Sequence, residues 1–164
     1  MTEPNRRLQV AVCGPGDASP AATALAEAVG SALGRRGATL VCGGLGGCME
    51  AACRAAKAAG GATVGILPGY EARAANRYVD AVVCTGMGQA RNAIVVASGA
   101  AVIAIAGGAG TLSEVALAIR LGRPVVLVGE WSEALSAELV ALGPSVLVAR
   151  GADAAVGMAL AAIG

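Results

Sequence analysis

The chain contains no histidine, no phenylalanine, one lysine and three aromatic residues in all, Tyr70, Tyr78 and Trp131. Each shortage removes options. Without imidazole there is no Ser-His-Asp triad, no histidine general base and no histidine-containing zinc site. The single lysine, Lys57, stands in a helical pattern and not behind a glycine loop, so a P-loop is absent. A core without phenylalanine must be built from small residues brought close together. Charged residues make up 14% of the chain and the net charge is +1. That balance gives a nucleic-acid partner no electrostatic support.

Long hydrophobic runs are equally limited. Residues 93–113 carry no charge, which is long enough to raise a membrane helix. Ser98-Gly99 and a later glycine cluster break that stretch into a helix end, a strand and a loop, so no membrane partner is expected. The polar segment 1–9 carries Arg6 and Arg7 and lacks an apolar signal core. The expected localisation is therefore cytoplasmic, with residues 1–7 flexible. In that compartment the five cysteines are expected to be reduced thiols.

What is present is small and apolar. The chain has 164 residues, 56% of them hydrophobic, with 25 glycines. One domain over residues 1–164 follows. Short runs of branched residues predict strands at 8–13, 39–42, 63–67, 79–84, 101–106, 125–128 and 145–149. Helices are predicted at 20–35, 49–59, 89–98, from the glycine cluster to 121, at 131–142 and at 152–163. Ser19 is the expected N-cap of the first helix with Pro20 behind it, and Gly37 its stop. Strands alternating with helices give parallel crossovers. The expected fold is one doubly wound, Rossmann-like α/β domain with six to seven mostly parallel strands, helices on both faces, and the default order 3-2-1-4-5-6.

In that arrangement the loops after strands 1, 2, 4 and 5 meet at one crevice. Three of them are glycine-rich: Gly14 and Gly16, then Gly43, Gly44 and Gly46, then Gly107, Gly108 and Gly110. Glycines let backbone approach a ligand, and the free N–H groups of the helix that follows favour an anion. A nicotinamide dinucleotide fits poorly. The first loop has Ser19 where the third fingerprint glycine belongs, and strand 2 ends on Cys42 where an acid is needed.

Side chains near these loops have competing readings. Thr111 is counted with the phosphate-binding loop and Glu114 as a carboxylate beside it, while their spacing is also that of a capping box with Thr111 as N-cap, which alone could account for the glutamate. Arg91 is more telling, because a cation in the first turn of a helix opposes the dipole by up to about 1 kcal/mol. A bound phosphate, or Glu114, would compensate. Asn92 either donates to the ligand or lies on the surface. Asp17 is read as bonding within its own turn, and Glu50 as a partner for the second helix's dipole. Cys13, Cys42 and Cys84 end strands expected to be neighbours. They could line the crevice as soft ligands, but are read as the commoner buried apolar groups, and no metal site is assigned.

Gly43-Gly44-Leu45-Gly46-Gly47-Cys48-Met49, with the alanine-rich helix and Gly60-Gly61-Ala62-Thr63-Val64-Gly65-Ile66 after it, resembles the first motif of the Lonely Guy (LOG) family. That family was long labelled "possible lysine decarboxylases". Gly107-Gly108-Ala109-Gly110-Thr111-Leu112-Ser113-Glu114 resembles the second, more specific motif. The resemblance covers residues 10–128. Many members are phosphoribohydrolases that release the base from a nucleoside 5'-monophosphate. The resemblance therefore implies a catalytic Glu114 assisted by Arg91, a nucleotide-like ligand, and no cofactor for the hydrolysis. Three features depart from the hydrolase pattern. Arg91-Asn92 replaces an Arg-Lys pair, Ala106 replaces a proline, and the connection between strands 3 and 4 is short. This version is similar to a bacterial branch related to molybdenum-cofactor carrier proteins. It implies as the alternative a non-catalytic carrier or sensor of a phosphorylated pterin such as molybdenum cofactor. The apolar runs 93–97 and 115–119 add an expected homodimer, or a higher homo-oligomer, through helices 3 and 4.

Overall fold

The structure, a computed structural model, describes residues 7–164. The expectation of a flexible segment 1–7 lies outside the described residues except for Arg7. The described residues form one parallel sheet of seven strands: β1 Gln9–Cys13, β2 Thr39–Cys42, β3 Ala62–Leu67, β4 Ala81–Cys84, β5 Ala101–Ile105, β6 Val125–Val128 and β7 Val146–Ala149. Six α-helices alternate with them: α1 Pro20–Arg35, α2 Cys48–Ala58, α3 Asn92–Ser98, α4 Ala109–Arg120, α5 Glu133–Ala141 and α6 Ala152–Ala161.

Both sheet faces are covered, and the period of two shows it. In β1, Val10 and Val12 join one core cluster with α1, α2 and α6, while Ala11 and Cys13 join the other with α3 and α4. The first cluster depends on small residues. α1 lays Gly30 against the backbone of Ala52 and Gly34 against that of Ala56, both on α2. The predicted helix signals also hold. Ser19 Oγ accepts from Ala22 N at 3.1 Å, and Gly37 takes φ +70° behind α1. Glu50 lies in the first turn of α2.

The strand order is β4-β3-β2-β1-β5-β6-β7. The doubly wound class is as expected, but β5, not strand 4, lies beside β1. β4 extends the opposite edge and pairs with β3, Val64 opposite Ala81 and Leu67 opposite Cys84. The connection from β3 to β4 has no α-helix, only a 3-10 turn at Ala72–Ala74. The long crossover comes one strand later than the default places it. The helix predicted at 89–98 supplies that crossover, split into a 3-10 turn, Gly88–Arg91, and α3. Cys84 is consequently no neighbour of Cys13 and Cys42. It is exposed on the edge strand, with β3 between it and β2.

Most of the apolar surface behind the expected homodimer is used within the chain. Val95, Val96, Val115 and Ala118 are buried, and Ile94, Leu112, Leu117 and Ile119 pack against the same cluster. What remains exposed on the two apolar runs is Ala93, Ala97 and Ala116.

Candidate functional site

Parallel strands end together, so the loops after β1, β2 and β5 collect at one edge of the sheet. There they enclose a cavity of about 340 Å³. Gly14, Gly16, Gly43, Gly108, Gly110, Thr111 and Glu114 line it, joined by Arg91 and Asn92 from the crossover after β4. Nine of the twelve residues expected from the sequence therefore meet. Gly107 lines an adjacent cavity. Gly44, at φ +74°, packs under Leu67 and Gly65 and does a structural job. Gly46 is half-buried and lines neither cavity. Asp17, read as bonding in its own turn, also lines the adjacent cavity.

α4 begins three residues earlier than a capping box requires. Its N-cap is Gly108, with no side-chain cap. Thr111 is thus the third helical residue, buried, with its hydroxyl beside Gly107. Glu114 is one turn further in, so the capping reading of both side chains is wrong. The physical reason is the glycine loop itself, which turns directly into the helix. Leu112 N is the first to bond within the turn, to Gly108 O at 3.1 Å. The N–H groups of Ala109, Gly110 and Thr111 have no intrahelical acceptor, the condition that makes a helix start an anion site.

Arg91 is 5% exposed. One guanidinium nitrogen, Nη1, donates to Ile66 O at 3.0 Å, while Nε has no partner among the described residues. The side chain fits only because Gly43 has none. A Cβ at Gly43 would lie 1.9 Å from Nη1. The Gly43–Leu45 segment is held in turn from behind. Asn76 Nδ2 donates to Leu45 O at 2.9 Å, Asn76 N to Gly44 O at 2.8 Å, and Gly44 N to Cys42 Sγ at 3.3 Å. Cys42 Sγ itself lies 3.5 Å from Cys53 Sγ, both buried.

Glu114 is 8% exposed. Burial pushes its carboxyl up to about 7, against the opposing pull of the Cys13 thiol and the Arg91 charge. The same carboxylate and burial hold the Cys13 thiol well above its ordinary range, burial being the larger cause. No ion pair joins Arg91 to Glu114 among the described residues, although both line the one cavity. A buried cation and a buried acid thus line one cavity with no ion pair between them.

The raised carboxyl has a consequence for stability. Its folded value, about 7, exceeds the ordinary 4.5. The protonated form therefore favours the folded state. That contribution is complete below pH 4.5 and is lost as pH rises through 7. At about 1.4 kcal/mol for each pH unit the loss reaches roughly 3 kcal/mol at most. Glu114→Gln should remove this slope and be more stable than the parent above neutral pH. Urea unfolding across the pH range measures it; parallel pH profiles for the two proteins would refute the assignment.

Several contributors escaped sequence reading. Pro15, Leu45, Met49 and Gln89 line the cavity, and nothing in residue type announces them. Asn76 lies in a connection too irregular to read. Cys13, read as a buried apolar group, also lines the cavity, at the end of β1 where the glycine loops gather. Ala106, the departure from proline, donates its N–H to Val128 O at 3.0 Å, a bond that proline cannot make.

Residues 7–156 match the model of the SLOG cluster4 family. An uncharacterised protein of Archaeoglobus fulgidus is 41% identical over 118 residues, which are 72% of this chain and 78% of that one. The molybdenum cofactor binding protein of the phototrophic bacterium Rippkaea orientalis superposes with a TM-score of 0.90 at 38% identity, covering 98% of this chain and 99% of the other. The molybdenum cofactor carrier protein of Chlamydomonas reinhardtii does so at 0.88 and 32%, covering 96% and 98%.

Proposed function

Because the chain belongs to the SLOG cluster4 family, we propose that it is a non-catalytic carrier of a phosphorylated pterin of the molybdenum-cofactor type. The observation that carries this reading is the near full-length agreement with proteins described as binding or carrying that cofactor. The chemistry of the site supports it. The free N–H groups at the start of α4 and the Arg91 guanidinium suit a phosphate monoester, and the Arg91 Nε proton awaits an acceptor. Glu114 suits the polar edge of a pterin. As a carboxylate it accepts from ring N–H and amino groups, and once protonated it donates to a ring nitrogen. Asn92, 7% exposed, supplies an amide at the same cavity. The site holds its cargo by shape and hydrogen bonds.

A second reading, the phosphoribohydrolase, draws on Glu114, whose carboxyl near 7 is suited to acid–base work at neutral pH. One assay separates the two. Purine nucleoside monophosphates, N6-modified ones included, are incubated with the protein and examined for free base and ribose 5-phosphate. In parallel, a phosphorylated pterin is titrated by fluorescence. The carrier reading expects pterin binding at micromolar concentration and no release of base. Steady base release that Glu114→Gln abolishes would replace it with the hydrolase; absence of pterin binding would end it.

A further inference from the structure

The glycine loop after β5 has a cavity on each side. Beyond the one that holds Arg91 and Glu114 lies a second, about 380 Å³, at the ends of β5 and β6 and against the start of α1. Pro15 and Gly108 line both, so the loop is the ridge on which the two cavities adjoin. The two differ in chemistry. The first contains the buried guanidinium with its unpartnered Nε. The second has no basic side chain among its described lining. Its wall is apolar, from Ala22, Leu25, Ile105 and Ala106, and its rim carries the carboxylates of Asp17 and Glu130 and the hydroxyl of Ser19. Two carboxylates repel a phosphate and accept from a diol, while an apolar wall receives the face of a ring. Gly129 closes the far side at φ +93°, where a Cβ would lie 2.9 Å from Leu25 Cδ2.

A single phosphate ester leaves this second cavity unused. The unsatisfied N–H groups of Ala109 and Gly110 sit on the ridge itself, open to an anion that lies across it. We infer that the site takes a two-part ligand, in which a pyrophosphate crosses the ridge at Gly107–Gly108 and joins the group beside Arg91 and Glu114 to a nucleoside in the acid-rimmed cavity. The inference rests on the reading of the ridge as a phosphate site, and extends it from a phosphate monoester to its nucleotide conjugate. Glu130 and Asp17 hold the ribose hydroxyls, and the base lies against Leu25 and Ala106.

Adenine nucleotides serve as probes, because AMP, ADP and P1,P2-di(adenosine-5') pyrophosphate add one feature at a time. Calorimetric titration of the full chain is expected to give at least about tenfold tighter binding of the dinucleotide than of ADP, equivalent to ~1.4 kcal/mol. Ala21 is exposed in the first turn of α1 and borders the second cavity, so Ala21→Trp fills that cavity without entering the core. The quantity read is the ratio of the two affinities. Ala21→Trp should bring it to one, and Glu130→Gln should reduce it. A ratio of one in the unsubstituted chain, or a ratio that Ala21→Trp leaves in place, would overturn the two-part site while leaving the phosphate reading intact. If none of the three nucleotides binds, the phosphate reading of the ridge falls, and the two-part site with it.

Discussion

Gly43→Ala is expected to weaken anion binding about a hundredfold while the protein still folds. The added Cβ would lie 1.9 Å from Arg91 Nη1 and 2.8 Å from Cζ. The guanidinium is the far end of a long side chain and could move aside in water, but here it is buried and held by Ile66 O. Moving it breaks a hydrogen bond made by a charged group, at a cost of about 1.5–3 kcal/mol. The displaced charge also no longer faces the ligand. Affinity for inorganic pyrophosphate should fall by about a hundredfold, equivalent to ~2.7 kcal/mol. The diagnostic is non-additivity. If Gly43 acts by placing Arg91, then adding Arg91→Ala to Gly43→Ala loses almost nothing more. Calorimetric titration of the two single variants and the double variant decides it. Independent, additive losses would show that the glycine contributes its own backbone and not the arginine's position.

Gly30→Ala should be the most destabilising single methyl addition in the helices. In isolation the change favours a helix by about 1 kcal/mol. At Gly30 the new Cβ would lie 2.1 Å from the backbone oxygen of Ala52 and 2.9 Å from its Cα. Backbone cannot rotate away, so α1 and α2 must separate, and Val29, Leu33, Cys53 and Ala56 lose their packing together. Overpacking of this kind costs about 1–3 kcal/mol. The melting midpoint of a chain this size would fall by roughly 2–12 °C. Gly157→Ala in α6 is the matched control. Its Cβ would meet only Arg36 Nη1, at 3.7 Å, so the helix preference acts unopposed and the midpoint should rise. Thermal unfolding of both variants tests the account. A gain at both positions would mean that the small-residue contact between α1 and α2 is loose.

These two glycines show how unevenly the sequence speaks. Gly43 is legible, because a glycine cluster behind a buried strand already marks a crevice. Its partner is not. Arg91 stands 48 residues further on, and only its awkward place at a helix start suggests an unmet charge. Gly30 is hidden altogether. A lone glycine within a helical pattern reads as a weakness until the facing Ala52 carbonyl is seen. Thr111 and Glu114 mislead in the opposite direction. Their spacing satisfies a local capping rule, yet the glycine loop starts the helix early, and the site claims both side chains. The second cavity had no local sign, since Asp17, Leu25 and Glu130 come from three separate stretches.

The sequence by itself determined the alternation of strands and helices, the glycine loops at the strand ends, the helix caps at Ser19 and Gly37, and the absence of imidazole chemistry. Those are consequences of neighbouring residues, where backbone freedom and hydrophobic period act within one turn or one strand. The tertiary structure alone decided the strand order and the raised carboxyl of Glu114. It also set Arg91 and Glu114 across one cavity with no ion pair between them. Each of these depends on which segments lie together once the sheet is wound. Burial, desolvation and the exclusion of a single Cβ are properties of that neighbourhood and not of the chain order. The crossover after β4 carries Arg91 from the sheet edge to its centre, and the site is complete only because of that path.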